Sequence, residues 1–124
     1  LDTISILTDT IVPIENFKKF LDYSHQVLTD ANIEYLLFGH LGDCHLHFHL
    51  IPTKEQQNCA LKVYQKIIRR TIILGGVYSA EHGTGKRKTN DFIDCYGQDG
   101  VDKIKSSKKS LDPNLILNRG NVFN

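Results

Sequence analysis

The amino-acid sequence predicts an α+β fold: an antiparallel sheet with two helices on one face, followed by a helical tail. Three observations predict it. Apolar and polar residues alternate from His45 to Ile51, the period of a strand with two different faces. Two longer segments, Ile14 to Asp30 and Thr53 to Leu74, instead repeat their apolar residues three and four apart, the period of a helix. Pro13, Pro52 and Gly75-Gly76 punctuate the chain between these patterns.

The elements follow in order. Thr3 to Pro13 is rich in Ile, Val, Leu and Thr, which suit a pleated surface, so one strand is expected up to Pro13. From Ile14 to Asp30, Phe17, Phe20, Leu21, Ser24 and Leu28 form one stripe, with Lys18, Lys19, Asp22 and Gln26 opposite. This is an amphipathic helix, and His25 is expected near its solvated side. Ile33 to Phe38 is a compact apolar run of strand length that delivers Gly39-His40. Gly42-Asp43 reads as a turn, and His45 to Ile51 returns, giving a hairpin with His40 near its loop. On the returning strand His45, His47 and His49 share one face, and Leu46, Phe48 and Leu50 the other.

Thr53-Lys54-Glu55-Gln56 fits a capping box, in which a hydroxyl and a side-chain amide satisfy backbone N–H groups that the first helical turn leaves over. Ala60, Val63, Tyr64, Ile67, Thr71 and Leu74 mark the buried stripe of the second helix. Arg69 and Arg70 suit the negative end of its dipole, and Gly75-Gly76 ends it. Val77 to Ala80 is a short strand leading Glu81-His82 into a loop with Gly83 and Gly85. Phe92, Ile93 and Tyr96 mark one short helix, and Val101, Ile104, Lys105, Lys108 and Leu111 another. Strand, helix, strand, strand, helix, strand and tail make the ferredoxin-like βαββαβ order.

Composition narrows the function. At 124 residues the chain has the size of one domain, and 40% hydrophobic with 23% charged residues is ordinary for a globular protein. A net charge of +1 argues against a nucleic-acid partner. No apolar run approaches the roughly 20 residues of a membrane span, and no secretory leader is visible. Cys44, Cys59 and Cys95 are an odd set without C-x-x-C spacing, which argues for a reducing compartment: the cytoplasm, or a peripheral place at a membrane. The chain holds no Met and opens mid-pattern at Leu1, so it is expected to be a piece of something longer.

Four of the six histidines, His40, His45, His47 and His49, fall between Phe38 and Leu50. His40 and His47 lie on opposite arms of the hairpin, where one ion could reach both, and Glu81 could add a carboxylate. Two imidazoles and a carboxylate suit Zn²⁺, Mn²⁺ or Fe²⁺. The plainer reading is that these are polar residues on an exposed sheet face. Cys44 is either a ligand or a small residue in a tight loop. His82, beside Glu81, is a candidate acid/base group or an exposed loop residue. Gly83-Thr84-Gly85-Lys86 is not a phosphate loop, because Arg87 follows the Lys and Ala80 stands at the first glycine position. Lys86 is then a surface cation, or a holder of an anionic substrate.

Three ordered motifs carry a resemblance. Gly39-His40-Leu41-Gly42-Asp43 with His47 resembles the Gly-His-x-Gly-Asp-Gly-Asn-x-His signature of FAD-linked oxidases of the D-lactate dehydrogenase and glycolate oxidase type, within the vanillyl-alcohol-oxidase-like flavoproteins. Ser79 to Lys86 is similar to their Glu-His-Gly-x-Gly-x-Lys segment. Asp112-Pro113 with Leu117-Asn118 and Gly120 resembles their closing Asp-Pro…Asn-Pro-Gly, and Val12-Pro13 their entry to this region. The resemblance implies that residues 1–124 are the C-terminal, substrate- and metal-side domain of a flavoenzyme whose FAD-binding domain lies upstream. It implies His40, His47 and Glu81 as ligands of a divalent Zn, Mn or Fe ion, and His82 as general base. It places His49 and Lys86 toward the substrate and Asn118 toward the flavin.

The implied reaction is oxidation of a D-2-hydroxy acid of the lactate, glycolate or 2-hydroxyglutarate type to the 2-oxo acid, with hydride transfer to FAD. Cys44 and His45 replace the signature's Gly and Asn, and Arg119 its closing Pro. The alternative is a non-catalytic metal-binding or assembly domain of the same fold. A non-haem iron oxygenase would use a similar ligand set but normally carries a His-x-Asp/Glu pair, which is absent. The implied partners are the hydroxy acid and the upstream FAD domain, with homo-oligomerisation open.

Overall fold

The structure is a computed structural model that describes residues 5–79 and 88–116. The chain divides into two compact units, residues 1–81 and 82–124.

The first unit is an antiparallel sheet with two helices on one face. Strand β4 (His45–Ile51) is central. Along one side it pairs over its whole length with β3 (Glu34–His40), through a one-turn 3-10 helix at Leu41–Asp43. Along the other side it pairs with β1 (Ile6–Leu7) and then β2 (Thr10–Ile11). Both short strands keep one register, Leu7 facing His49 and Ile11 facing His45, so they are two halves of the single strand expected over residues 3–13. The break lies at Thr8–Asp9 and has a local cause. Thr8 donates its backbone N–H to the Phe48 carbonyl at 3.0 Å, but the Phe48 N–H returns to the Thr8 hydroxyl, at 2.9 Å, and not to the Thr8 carbonyl. Beyond β2, Ile11 and Asp9 make isolated bridges to Val77 and Ser79, in place of the short strand expected over Val77–Ala80.

Leu46, Phe48 and Leu50 pack with Phe20 and Leu28 of α1 (Ile14–Asp30) and Ala60, Val63 and Ile67 of α2 (Gln57–Ile73). Helix α1 covers the segment its apolar stripe predicts and ends in a Schellman motif. Asn32 has φ +53° there, its N–H bonds the Thr29 carbonyl, and the Ile33 N–H bonds the Leu28 carbonyl. Helix α2 is entered through a 3-10 turn at Lys54–Gln56 with the capping box in place, and it ends in a second Schellman motif with Gly75 at φ +81°. His25 departs from its expected solvated place. It is half-buried, hydrogen-bonds the Tyr35 hydroxyl, and meets the edge of Phe48 at 5.8 Å between ring centroids. Arg70 lies over the Tyr23 ring at 5.1 Å, joining the two helices in addition to any dipole role.

The second unit contributes α3 (Thr89–Leu111), which covers both short helices of the predicted tail. Gly97, at φ +68° and ψ −179°, breaks it where the two apolar patterns meet. Among the described residues no helix is long and apolar enough to cross a membrane.

Candidate functional site

Because Leu46, Phe48 and Leu50 are committed to the helices, alternation sends His45, His47 and His49 to the opposite face of the sheet. The hairpin register then sets His40 across from His45, Phe38 from His47 and Leu36 from His49. Asp9 arrives from the break between β1 and β2.

These histidines are not simply exposed polar residues. His45 is 6% and His47 4% exposed, while His40 stands in solvent at the end of β3 and His49 is half-buried beside Ser5. The His45 ring lies between the other two, 5.8 Å from His40 and 4.6 Å from His47 between centroids. Phe38 closes the far side of His47 at 5.3 Å. Asp9, 1% exposed, places one carboxylate oxygen 2.9 Å from His45 Nε2 and 4.0 Å from His47 Nδ1. Its other oxygen accepts from the Ser79 hydroxyl at 3.4 Å. One ligand atom from each of Asp9, His45 and His47 lies within 4.8 Å of the others, a spacing that can hold a cation.

Hydrogen bonding assigns the tautomers. The carbonyl that the Thr8 hydroxyl displaces from the ladder accepts from His47 Nδ1 at 3.1 Å. A carbonyl only accepts, so Nδ1 carries the proton and Nε2 the lone pair. By the same logic an ionised Asp9 draws the His45 proton to Nε2 and leaves the lone pair on Nδ1. A ring nitrogen held by a carbonyl or carboxylate, with the lone pair on the other nitrogen, is the usual preparation of a histidine for a metal. The donor set therefore fits a divalent ion of the Zn or Fe kind.

Of the predicted site residues the structure brings His40, His47 and His49 to one face, with His45 among them. Glu81, His82, Lys86 and Asn118 lie outside the described residues. Cys44 takes the small-residue role: it is buried at the hairpin turn with φ +54°, the left-handed conformation that a glycine adopts without strain. The sequence reading passed over Asp9 and Thr8. The available signal was Asp9 itself, a carboxylate inside a segment otherwise rich in Ile, Val, Leu and Thr, where strands disfavour it.

Comparison with known proteins agrees with the motif reading. The family described as FAD linked oxidases, C-terminal domain, matches residues 1–122. The chain is 30% identical over 116 residues to the mitochondrial D-lactate dehydrogenase [cytochrome] of Kluyveromyces lactis, covering 94% of the chain and 20% of that protein. It is 30% identical over 122 residues to the glycolate oxidase subunit GlcD of Bacillus subtilis, covering 96% and 26%. A mitochondrial protein of Oryza sativa named "probable D-2-hydroxyglutarate dehydrogenase" is 31% identical over 110 residues, covering 89% and 20%. The chain thus spans about a fifth to a quarter of the length of these relatives.

Proposed function

The chain belongs to the FAD-linked oxidase C-terminal domain family, an oxidoreductase family, and from that premise we propose that it is the substrate side of a flavin-dependent dehydrogenase acting on a D-2-hydroxy acid. An FAD-binding domain of the same protein would hold the cofactor. The observation that supports this reading beyond family membership is His47: a buried imidazole on the sheet face away from the helices, oriented by its Nδ1–H on the Thr8 carbonyl and lying beside His45 and Asp9.

In this reading His40, His47 and Glu81 hold a divalent ion. Lys86 and His49 bind the substrate carboxylate and set its orientation, and Asn118 faces the flavin. His82, next in the chain to Glu81, takes the proton from the substrate hydroxyl as the hydride leaves Cα. When bound, the ion supplies Lewis-acid charge at the hydroxyl and the flavin accepts the hydride. The substrate loses one proton and one hydride and becomes the 2-oxo acid. From the odd set of three cysteines without C-x-x-C spacing we assign the protein to a reducing compartment, the cytoplasm or a peripheral place at a membrane.

The test uses the full-length protein. D-lactate, glycolate and D-2-hydroxyglutarate are offered anaerobically and flavin bleaching is followed. One of them should reduce the flavin, and bleaching by none would remove the reaction class. His82→Ala should slow reduction at least 100-fold with metal content unchanged. His47→Ala should lower metal content, and equal content would remove His47 as a ligand.

A further inference from the structure

We propose that His45 is a third imidazole ligand of the ion held by His40 and His47, with Asp9 behind it as the carboxylate that orients it. This rests on the metal reading above and deepens it. The signature that the chain resembles has Asn at this position, so the site here would be richer in nitrogen by one donor.

Distance is the first argument. Two imidazoles on one tetrahedral ion, at metal–nitrogen distances of about 2.0–2.1 Å, put their ring centroids about 5 Å apart. The separation to His47, 4.6 Å, is close to that figure; His40, 5.8 Å away and outside the group whose ligand atoms lie within 4.8 Å of one another, reaches the ion by turning its solvent-exposed ring inward. Orientation is the second. The His45 Nε2–H is held by Asp9 at 2.9 Å, which leaves the Nδ1 lone pair for an ion. Asp9 itself is engaged through both oxygens, by His45 and by the Ser79 hydroxyl, which suits an orienting carboxylate. Burial is the third. A strand histidine with no task can face water, but here an imidazole and a carboxylate are both withdrawn from it, an arrangement that is unfavourable unless each group is satisfied.

The added nitrogen has a consequence. Imidazole sets favour Zn²⁺, Co²⁺ and Fe²⁺, whereas oxygen-rich sets favour Mn²⁺ and Mg²⁺. His45 should therefore bias this protein toward Zn²⁺ over Mn²⁺, and Asp9 should act as a positioning residue whose loss weakens the ion less than loss of a ligand does.

Metal-stripped full-length protein is titrated with Zn²⁺, Mn²⁺ and Co²⁺ against a chromophoric chelator, and the Co²⁺ absorption spectrum is recorded. His45→Asn should weaken Zn²⁺ at least about 100-fold, change Mn²⁺ by less than about 10-fold, and alter the Co²⁺ spectrum. Asp9→Asn should weaken Zn²⁺ about 10- to 100-fold and leave the Co²⁺ ligand count unchanged. Zinc X-ray absorption on the unmutated protein needs no variant to fold, and three imidazoles are expected. Two imidazoles, or His45→Asn binding Zn²⁺ and Co²⁺ as the parent does, overturns the assignment of His45 and leaves His40 and His47 standing. Loss of the ion in Asp9→Asn but not in His45→Asn makes the carboxylate the ligand and also overturns it. Unmutated protein that binds none of the three ions sinks both readings together.

Discussion

Gly39 marks the closest approach of β3 to β4. A Cβ there would lie 2.3 Å from the His45 carbonyl oxygen, and the residue's φ is +148°. Neither strand can yield without moving His40 relative to His45, the pair on which the candidate site depends. Gly39→Ala should destabilise the hairpin by about 2 kcal/mol or more, read as faster amide exchange in β3 and β4 by about 30-fold. Unchanged exchange would mean that the hairpin absorbs the methyl. Cys95, a residue outside the candidate site, makes a contrasting case. Burial pushes its thiol above the ordinary thiol range, and a hydrogen bond from Tyr96 offsets this in part. The fold therefore disfavours the thiolate. The associated stability is present below the unfolded thiol's pKa and is lost as pH rises through the higher folded value. Site-resolved alkylation of Cys95 should have a midpoint above that of the same cysteine in the unfolded chain, and a midpoint at or below it would contradict the burial argument.

At the scale of elements, what could be read from the sequence separates by how local its cause is. Helix α1 runs from Ile14 to Asp30 as its stripe predicts, because the five stripe residues need only a shared partner face. The two glycines after α2 work for a similar reason, since a helix end requires only one residue that tolerates positive φ. The break in the first strand was not legible. It depends on the Thr8 hydroxyl accepting from Phe48, forty residues away, and no spacing rule encodes that exchange. Near Val77 the described residues form two isolated bridges, Ile11 to Val77 and Asp9 to Ser79, in place of a strand. Within α1 one stripe residue is polar: the Ser24 hydroxyl is buried and makes no hydrogen bond. Ser24→Ala removes that unsatisfied group and improves helix propensity, so it should stabilise α1 and its packing by about 1 kcal/mol. Slower amide exchange in α1 is the expected readout, and faster exchange would show that the hydroxyl is satisfied after all.

At the scale of the whole molecule, one face of the sheet is finished and the other is not. The helix side encloses an apolar core, a division that the alternation in β4 made legible from sequence. The other side was legible only as a row of histidines, because a single strand does not reveal which carboxylate its neighbour will bring. On that side Leu36 and Phe38 of β3 remain 56% and 49% exposed, across from the half-buried His49 and the buried His47. Adjacent exposed apolar residues beside a candidate site are what a covered interface looks like in isolation. The relatives are about four to five times as long as this chain, and our proposed reading includes an FAD-binding domain of the same protein. Leu36→Asp decides the matter. If this face meets only water in the complete protein, the change should alter stability by no more than about 0.5 kcal/mol, as surface substitutions do. If the FAD-binding domain of our reading lies against it, a carboxylate would be buried without a partner, and the loss should reach about 3 kcal/mol. We expect the second outcome, seen in the full-length protein as faster amide exchange along β3 together with easier release of FAD. Exchange and FAD retention matching the parent's would leave the sheet face solvated and require the flavin to approach from elsewhere.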